Sequence, residues 1–233
     1  MTTALAKVID AESAGLPAAV MAQGGRCEEA GRAQSGMAIA GQVLNFAQDS
    51  EIYAECSEVR SFYKVVSGVV RTCKFLSDGR RQIGGFHRAG EIFGLELGAF
   101  HSLSAEAVSD CTVVAYRWRG LHQMTAQGGQ LAPQIFSFAM QCLQRAQDHA
   151  LLLGRRSAAQ RVAAFLLEAA GREGAEHTVH LAMTRQDIAD YLGLTIETVS
   201  RTLSQFERDG LIGLRSTRLL VLHNSRALAS LND

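Results

Sequence analysis

The chain has 233 residues, which is enough for two domains, and 47% hydrophobic residues with only two prolines favour an ordered globular protein. The formal net charge at pH 7 is +0. No apolar run is long enough to cross a membrane, and residues 1–7 lack the charged start and apolar centre of an export signal, so we expect a cytoplasmic protein.

The first half of the chain divides into an arm and a β domain. Residues 1–40 are rich in Ala, Gly, Glu and Gln with weak periodicity, which predicts a partly disordered N-terminal arm. Between residues 42 and 116, short β-type segments alternate with glycines. Examples are residues 62–75 and 82–86, on either side of an Asp78-Gly79 turn. Many short strands with regular turns are typical of a sandwich or barrel, so we expect one β domain over residues 41–130.

A long helix is predicted next, over about residues 133–153, with Pro133 in its first turn. Its apolar residues are spaced by 3, 4, 3, 4 and 3 positions and form a heptad seam: Phe136, Ala139, Leu143, Ala146, Ala150 and Leu153. Such a stripe could pack on the chain's own β domain. Because the helix links the β domain to a further helical domain, a paired coiled coil is favoured instead, and residues 131–154 are predicted as a dimerisation helix.

Residues 155–233 are predicted to form a winged helix-turn-helix domain. A helix over about residues 157–170 would bury Val162, Phe165 and Leu166. The first helix of the motif opens at Thr184, which can form a capping box with Asp187. It should bury the side chains at 188, 189 and 192 and end near Gly193, which can adopt the backbone angles of a tight turn.

The second helix of the motif starts at Thr195, a good N-cap residue, and Gly210 is its expected end. Helical spacing predicts that Val199, Leu203 and Phe206 are buried. Glu197, Ser200 and Arg201 then lie on other faces near the start of this helix, where a recognition helix contacts bases. Alternatively, Glu197 and Arg201 form an ordinary surface ion pair on a plain helical hairpin.

Two further groups of residues are predicted to contact DNA. Residues 211–222 are typical of two short strands around a polar turn, and Arg215 and Arg218 in this turn would face phosphates. Other contacts, to phosphates among them, are predicted at Thr184, Arg185, Thr195, Ile196, Thr198 and Ser204. No metal site and no catalytic group is predicted, and an enzyme has the least support, because no nucleophile–base pair, Gly-rich phosphate loop or metal-ligand spacing is present.

The order of β domain, long helix and winged motif resembles the CRP/FNR family of bacterial transcription regulators over nearly the whole chain. Glu197, Ser200 and Arg201 match the E-x-x-S-R signature of its FNR-type branch. The resemblance implies an α+β protein with a cyclic-nucleotide-binding-like β roll (a jelly roll) that binds double-stranded DNA at palindromes of the TTGAT-N4-ATCAA kind. Arg201 would contact guanine, Glu197 the cytosine side and Ser200 a thymine.

At two places the sequence departs from well-known members of the family, which narrows the choice of subgroup. Cys27 is the only cysteine in the arm, so the iron–sulfur cluster of FNR itself is not expected. Members that bind cyclic AMP have an Arg-Ser-Ala triplet, whereas this chain keeps Gly90-Glu91 but has Leu103-Ser104-Ala105, so the arginine for the cyclic phosphate is missing.

The chain is therefore most similar to the FixK group of the family. This group implies a chiefly activating homodimer that controls genes of microaerobic or anaerobic respiration, denitrification or nitrogen fixation without a cofactor. RNA polymerase would be a further partner, and residues 77–81 are the candidate contact surface. This surface rests on family analogy alone.

Two forms of signal sensing remain as alternatives. In the first, the β roll binds haem or a small molecule, with His87, Cys73 or Cys111 as ligands, although each is more simply a core or surface residue. In the second, Cys142 beside the predicted seam is oxidised, although an inert, partly buried cysteine is the simpler interpretation. The five scattered cysteines of the chain suit reduced thiols.

Overall fold

The computed structural model describes residues 41–117, 131–155, 157–173 and 178–231. The predicted N-terminal arm, and Cys27 with it, lies outside these residues. The predicted order is confirmed: a β domain comes first, a long helix follows, and a mixed helical and stranded unit lies at the C-terminus. None of the described helices combines the length and the apolar character needed to cross a membrane.

The β domain is a jelly roll of two four-stranded antiparallel sheets. The strands are β1 (Gln42–Phe46), β2 (Glu51–Tyr53), β3 (Ser61–Ser67), β4 (Val69–Phe75), β5 (Arg81–Arg88), β6 (Ile92–Phe93), β7 (Ser104–Ala107) and β8 (Cys111–Arg117). One sheet has the order β1-β8-β3-β6 and the other β2-β7-β4-β5. Val65, Val70, Phe93 and Val113 are buried between the sheets, because alternate side chains of a strand face the same side.

A glycine separates two of these strands. The chain turns at Gly68, whose φ of 81° is in the left-handed region. A side chain at this position would also overlap the Asp110 carbonyl oxygen. The chain therefore passes at Gly68 from β3 in one sheet to β4 in the other.

The long helix α1 (Leu131–Arg155) packs against the β roll with one face and exposes another. Phe138 contacts the buried cluster around Phe62, and Leu152 is 8% exposed. Arg145 forms an ion pair with Glu91, with 2.8 Å between Nη1 and Oε1. The predicted heptad seam lies on the exposed face, where Phe136 is 66% and Leu143 49% exposed.

The C-terminal unit contains the predicted helices and strands and two elements that the sequence pattern did not indicate. The helices are α2 (Ala158–Glu173), α3 (Arg185–Leu192), α4 (Ile196–Arg208) and α5 (Ser225–Ser230). The strands β9 (Thr178–His180), β10 (Ile212–Leu214) and β11 (Leu219–Leu222) form a sheet of order β10-β11-β9. Strand β9 and helix α5 are the unpredicted elements. As predicted, Val162, Phe165 and Leu166 of α2 are buried.

The hydrophobic core is continuous between the β roll and the C-terminal unit. Tyr191 at the end of α3 lies between Phe86 of β5 and Phe165 of α2, with ring centroids 5.4 Å and 5.9 Å away. Tilted aromatic pairs at these distances are favourable beyond the area they bury. The C-terminal unit is therefore packed against the β roll of its own chain.

Candidate nucleic-acid interface

The first helix of the motif has the predicted capping box. The Asp187 backbone N–H donates to Oγ1 of Thr184 (3.1 Å), and the Thr184 backbone N–H donates to Oδ2 of Asp187 (3.0 Å). The Thr184 hydroxyl also donates to this carboxylate oxygen, at 2.8 Å. These bonds satisfy donors at the start of α3 that have no partner within the helix.

A glycine turn joins the two helices of the motif, as predicted. Gly193 has a φ of 62° and a ψ of 42°, a left-handed conformation, and the Leu194 N–H donates to the Ala189 carbonyl (2.9 Å). Thr195 then caps α4, because its Oγ1 accepts from the Thr198 N–H at 3.3 Å. The angle between α3 and α4 is thus fixed by local chemistry.

Helix α4 has one buried face and one exposed face. Val199, Leu203 and Phe206 are 0%, 2% and 3% exposed, which confirms the predicted apolar face. The helix ends at Arg208, and the Leu211 N–H donates to the Phe206 carbonyl (2.9 Å) around Gly210, whose φ is 70°. This Schellman arrangement agrees with the predicted stop. The exposed face carries Glu197, Ser200, Arg201 and Ser204.

Glu197 and Arg201 lie one turn apart, four positions along α4, and both are exposed. Both belong to the described part of the chain, and no ion pair joins them there. The pKa of Glu197 is below its usual value because its own backbone N–H, the Thr195 hydroxyl and the charge of Arg201 stabilise the carboxylate. The helix therefore presents a carboxylate and a guanidinium that can accept from and donate to base edges.

The hairpin of β10 and β11 forms a wing beside α4. Its turn is closed by the Arg215 N–H, which donates to the Leu219 carbonyl (2.9 Å), and by Ser216, whose Oγ accepts from the Arg218 and Leu219 N–H groups. The side chains of Arg215 and Arg218 are exposed. Two cations at the tip of a wing suit contacts with phosphates.

The other predicted contact residues differ in accessibility. Thr184, Thr195 and Ile196 are exposed, with Ile196 at 37%, whereas Thr198 is half-buried. Arg185 is also half-buried, and burial lowers its pKa. Its Nη1 atom is buried without a hydrogen-bond partner among the described residues, so this guanidinium is not a freely exposed phosphate contact.

The structure disfavours the two cysteines among the haem ligands of the alternative interpretation. Cys73 and Cys111 are buried, and burial raises the pKa of the Cys73 thiol to about 11 and that of Cys111 above its usual value. A cysteine ligand must be a thiolate, so these raised pKa values disfavour the role. His87 contacts Thr72, at 3.3 Å between Nε2 and Oγ1. Across the described residues no group of three His, Cys, Asp or Glu side chains could hold a metal ion.

The nucleotide-cassette residues are engaged within the protein. Besides its pair with Arg145, Glu91 accepts from the Arg88 backbone N–H at 3.1 Å. Ser104 is 9% exposed, and its hydroxyl accepts from the Glu55 N–H at 2.8 Å. At the edge of α1, burial raises the pKa of the half-buried Cys142, which disfavours its oxidation.

Sequence reasoning missed a group of charged residues that joins the β roll to α3. Arg71 and Arg81 on β4 and β5 reach Asp187 and Asp190 of α3. The expected polymerase surface over residues 77–81 is therefore wrong at Arg81, whose side chain is 18% exposed and paired across the interface. These contacts could not be predicted from local sequence patterns, because Arg81 and Arg71 lie 106 and 116 positions from Asp187.

Comparison with known proteins agrees with this geometry. The family model described as Crp-like helix-turn-helix domain matches residues 160–231, and the one described as Cyclic nucleotide-binding domain matches residues 43–127. The nitrogen fixation regulation protein FixK of Azorhizobium caulinodans is 45% identical over 218 residues, which are 91% of this chain and 88% of the relative. The chain belongs to the CRP/FNR family of transcription regulators.

Within the CRP/FNR family the chain is of the FixK type. FixK of Rhizobium meliloti is 40% identical over 189 residues, covering 81% of this chain and 86% of the relative. The solved structure of FixK2 from Bradyrhizobium japonicum has a TM-score of 0.80 and 43% identity, and the match covers 83% of this chain and 98% of that one. These relatives are transcription regulators, so the chain is not an enzyme.

Proposed function

We propose that this CRP/FNR regulator is a homodimer that recognises palindromes of the TTGAT-N4-ATCAA kind and chiefly activates transcription. The observation that carries the proposal is the exposed pair of Glu197 and Arg201 near the start of α4, beside the two arginines of the wing. The names of the FixK relatives support a role in nitrogen fixation. Microaerobic or anaerobic respiration and denitrification are the related gene classes that we include.

The assignment of base contacts follows from hydrogen-bond chemistry. Arg201 can donate two hydrogen bonds to the O6 and N7 atoms of one guanine. Glu197 is a carboxylate at neutral pH, its pKa being lowered further, and it can accept from the amino group of cytosine. Ser200, between them in sequence, would contact a thymine, while Arg215 and Arg218 would bind phosphates and fix the orientation of the wing.

Dimerisation through α1 is supported by the exposure of its seam. Five residues of the seam are exposed in a single chain, although all of them are apolar: Phe136, Ala139, Leu143, Ala146 and Ala150. A second copy of the helix would bury this stripe as a coiled coil. Leu153 differs from the rest, because it is half-buried beside Gly193 of the same chain.

Binding to defined operators tests the proposal. Fluorescence anisotropy would compare the palindrome with a duplex of scrambled half-sites and with one whose spacer is five base pairs longer, about half a helical turn. We expect tight binding to the first duplex alone, at one salt concentration throughout, because phosphate contacts depend steeply on salt. Equal affinity for all three duplexes would contradict the proposal.

Activation would also need a contact with RNA polymerase. The turn between β4 and β5 is exposed at residues 77–80, and Asp78 and Arg80 pair with each other there, at 2.7 Å. We propose these four residues, without Arg81, as the polymerase contact. In transcription with purified polymerase, Ser77→Lys should reduce activation at an unchanged operator affinity, because Ser77 is exposed and its backbone is outside the left-handed region.

A second candidate function is effector sensing in a cleft of ≈ 480 Å³ between β5 and the helices α1 and α2. Its walls include Phe86, His87, Cys142, Arg145 and Tyr191. A molecule bound here would touch both the β roll and the DNA-binding unit. Mass spectrometry of native and denatured protein tests this function, and the Soret region of the absorbance spectrum tests its haem version. A small molecule found in the native protein would support effector sensing. If protein without a bound molecule still binds the operator, an effector is not required for DNA binding.

A further inference from the structure

Two arginines of the β roll hold the first helix of the DNA-binding motif. Arg81 donates to Asp187 through Nη2 (2.5 Å) and to Asp190 through Nε (2.8 Å). Arg71 donates to the same Asp187 oxygen, Oδ1, through Nη1 at 3.2 Å. Both arginines come from the hairpin of β4 and β5, and both aspartates lie on α3. We call these four residues the hairpin–α3 contact.

The hairpin–α3 contact is buried. The side chain of Asp187 is 2% exposed and that of Arg71 10%. Arg71 also pairs with Glu106, at 2.7 Å between Nε and Oε2, and with Asp49, at 3.6 Å. Charges are buried at a cost that only well-placed partners offset, so removing any partner should disfavour this docked arrangement.

The other end of α3 is held by different side chains. The Tyr191 carbonyl accepts from Nε2 of His149 on α1 (2.7 Å) and from Nε2 of Gln82 on β5 (3.4 Å). The Leu192 carbonyl accepts from Nη1 of Arg161 on α2 at 2.9 Å. Helix α3 is therefore fixed at both ends, and the hairpin–α3 contact supplies the attachment at its start.

The position of α3 determines the position of α4. The turn at Gly193 has defined backbone angles, and the apolar faces of the two helices are both buried in one core cluster, with Leu192 and Val199 each at 0% exposure. Meanwhile Glu197 and Arg201 stay exposed. The hairpin–α3 contact thus holds the motif without covering the side chains that would read DNA.

We propose that Arg71 and Arg81 are positioning residues for operator recognition, which act on DNA affinity through α3 without touching DNA. In a dimer, both recognition helices must enter successive major grooves together, so a rotation of α3 relative to the β roll would misplace them. Random DNA makes no such demand on geometry, since phosphate contacts dominate its binding. The inference rests on the proposed function.

A double-mutant cycle at Arg81 and Asp190 tests this role. We expect Arg81→Ala to reduce the ratio of operator affinity to random-DNA affinity about tenfold, within the usual range of coupling between sites. Asp190→Ala should also lower the ratio, and the double variant should lose no more than the larger single loss, because Arg81→Ala already removes the interaction between Arg81 and Asp190. The matched control is Arg80→Ala on the same hairpin, whose side chain is 79% exposed and pairs with Asp78.

The readout separates positioning from a general loss of structure. A merely structural defect lowers operator and random-DNA binding together, whereas a misplaced recognition helix lowers the operator affinity selectively. Circular dichroism and the sedimentation of each variant would establish that it is folded and dimeric. Arg81→Lys, which keeps the charge, should restore part of the ratio. If Arg81→Ala does not fold, Asp190→Asn tests the same hydrogen bond from the other side.

The possible failures are distinguishable. An unchanged affinity ratio in folded Arg81→Ala and Asp190→Ala, with wild-type protein that prefers the operator, would overturn the positioning role alone. Additive losses in the double variant would also overturn it, because the two side chains would then act independently. Wild-type protein without operator preference would overturn the proposed function and this inference with it.

Discussion

His149 of the long helix stacks on Tyr191 of the DNA-binding motif, with ring centroids 4.0 Å apart and ring planes only 4° from parallel. The same imidazole donates from Nε2 to the Tyr191 carbonyl. One side chain of α1 therefore contacts both the ring and the backbone at the end of α3. Because the histidine can gain a proton near neutral pH, this contact has a predictable dependence on pH.

Burial lowers the pKa of His149 below its ordinary value of 6.5, against smaller opposite effects of the Tyr191 carbonyl and Glu168. The unfolded chain therefore binds this proton at a higher pH than the folded protein. The contribution to stability is complete above pH 6.5 and is lost as the pH falls from there towards the folded-state pKa.

We expect His149→Phe, which keeps an aromatic ring, to flatten the dependence of unfolding free energy on pH below this point by at most about 1.4 kcal/mol per pH unit. Chemical denaturation from pH 5 to 8 measures the slope. The control is His223→Gln, which replaces an exposed histidine. His101, whose pKa is also lowered by burial, remains in every variant, so it does not affect the comparison. A slope unchanged in His149→Phe would exclude this contribution.

The base contacts predict a loss of specificity at Arg201. We expect Arg201→Ala to cost about 1–3 kcal/mol of discrimination against the wrong base pair while random-DNA affinity changes little. The affinities for the operator and for duplexes substituted at each half-site position measure this effect. Arg215→Ala provides the contrast, because loss of a phosphate contact should weaken all sequences about equally. An equal loss with both classes of DNA would contradict a base contact by Arg201.

The exposed seam of α1 predicts that one charge can separate the subunits. Leu143 is 49% exposed in the single chain, and Leu143→Asp would place two carboxylates opposite each other in the dimer. Analytical ultracentrifugation should show monomers at concentrations where the wild type is dimeric. Gln141→Asp is the control, because position 141 is about 200° around the helix from Leu143 and is also exposed. Dissociation in both variants, or in neither, would contradict the seam.

Local chemistry explains why much of the DNA-binding motif is predictable from sequence. Thr184 and Asp187 are three residues apart, and Gly193 needs only its own backbone freedom, so neighbouring residues specify the caps and the turn. The periodicity of residues such as Val199 and Leu203 likewise depends on a single helix. These predictions are confirmed because no distant contact overrides them.

The unpredicted features depend on residues that are far apart in sequence. The polar sequence neighbours of Arg81 predict an exposed surface, but folding brings Arg81 against Asp187 and Asp190. Strand β9 has only three residues, which are too few to show the alternation of apolar and polar residues that predicts a strand. It is defined by its pairing with β11. Leu153 fits the heptad spacing but meets Gly193 of its own chain. Tertiary contact decides each of these cases.

Asp187 combines a helix cap with a buried ionic contact, so its removal should be unusually costly. We expect Asp187→Ala to destabilise the protein by about 3–5 kcal/mol, mainly because Arg71 loses a partner while still buried. Chemical denaturation followed by circular dichroism gives the change in unfolding free energy. Asp78→Ala, which removes an ion pair of exposed residues, should cost far less. Similar losses in the two variants would contradict the importance of burial.

Replacing glycine by alanine should have opposite effects on stability at two positions, Gly193 and Gly171. Gly193 has a φ of 62°, while a Cβ there would come no closer than 3.4 Å to Leu153 and 3.5 Å to Arg161, which is ordinary contact. Gly193→Ala should therefore cost about 1–2 kcal/mol through backbone strain alone. Gly171 lies in helix α2 with nothing within 4 Å of the added carbon, so Gly171→Ala should stabilise the protein by up to about 1 kcal/mol.

Thermal unfolding of the two alanine variants measures both the expected loss of stability at Gly193 and the expected gain at Gly171. Gly193→Asn should lose less stability than Gly193→Ala, because asparagine tolerates the left-handed region better than alanine does. This order separates backbone strain from crowding, since the larger asparagine side chain would be the worse of the two if space were limiting. A greater loss for asparagine would therefore show that contacts with Leu153 and Arg161, rather than the φ of Gly193, restrict this turn.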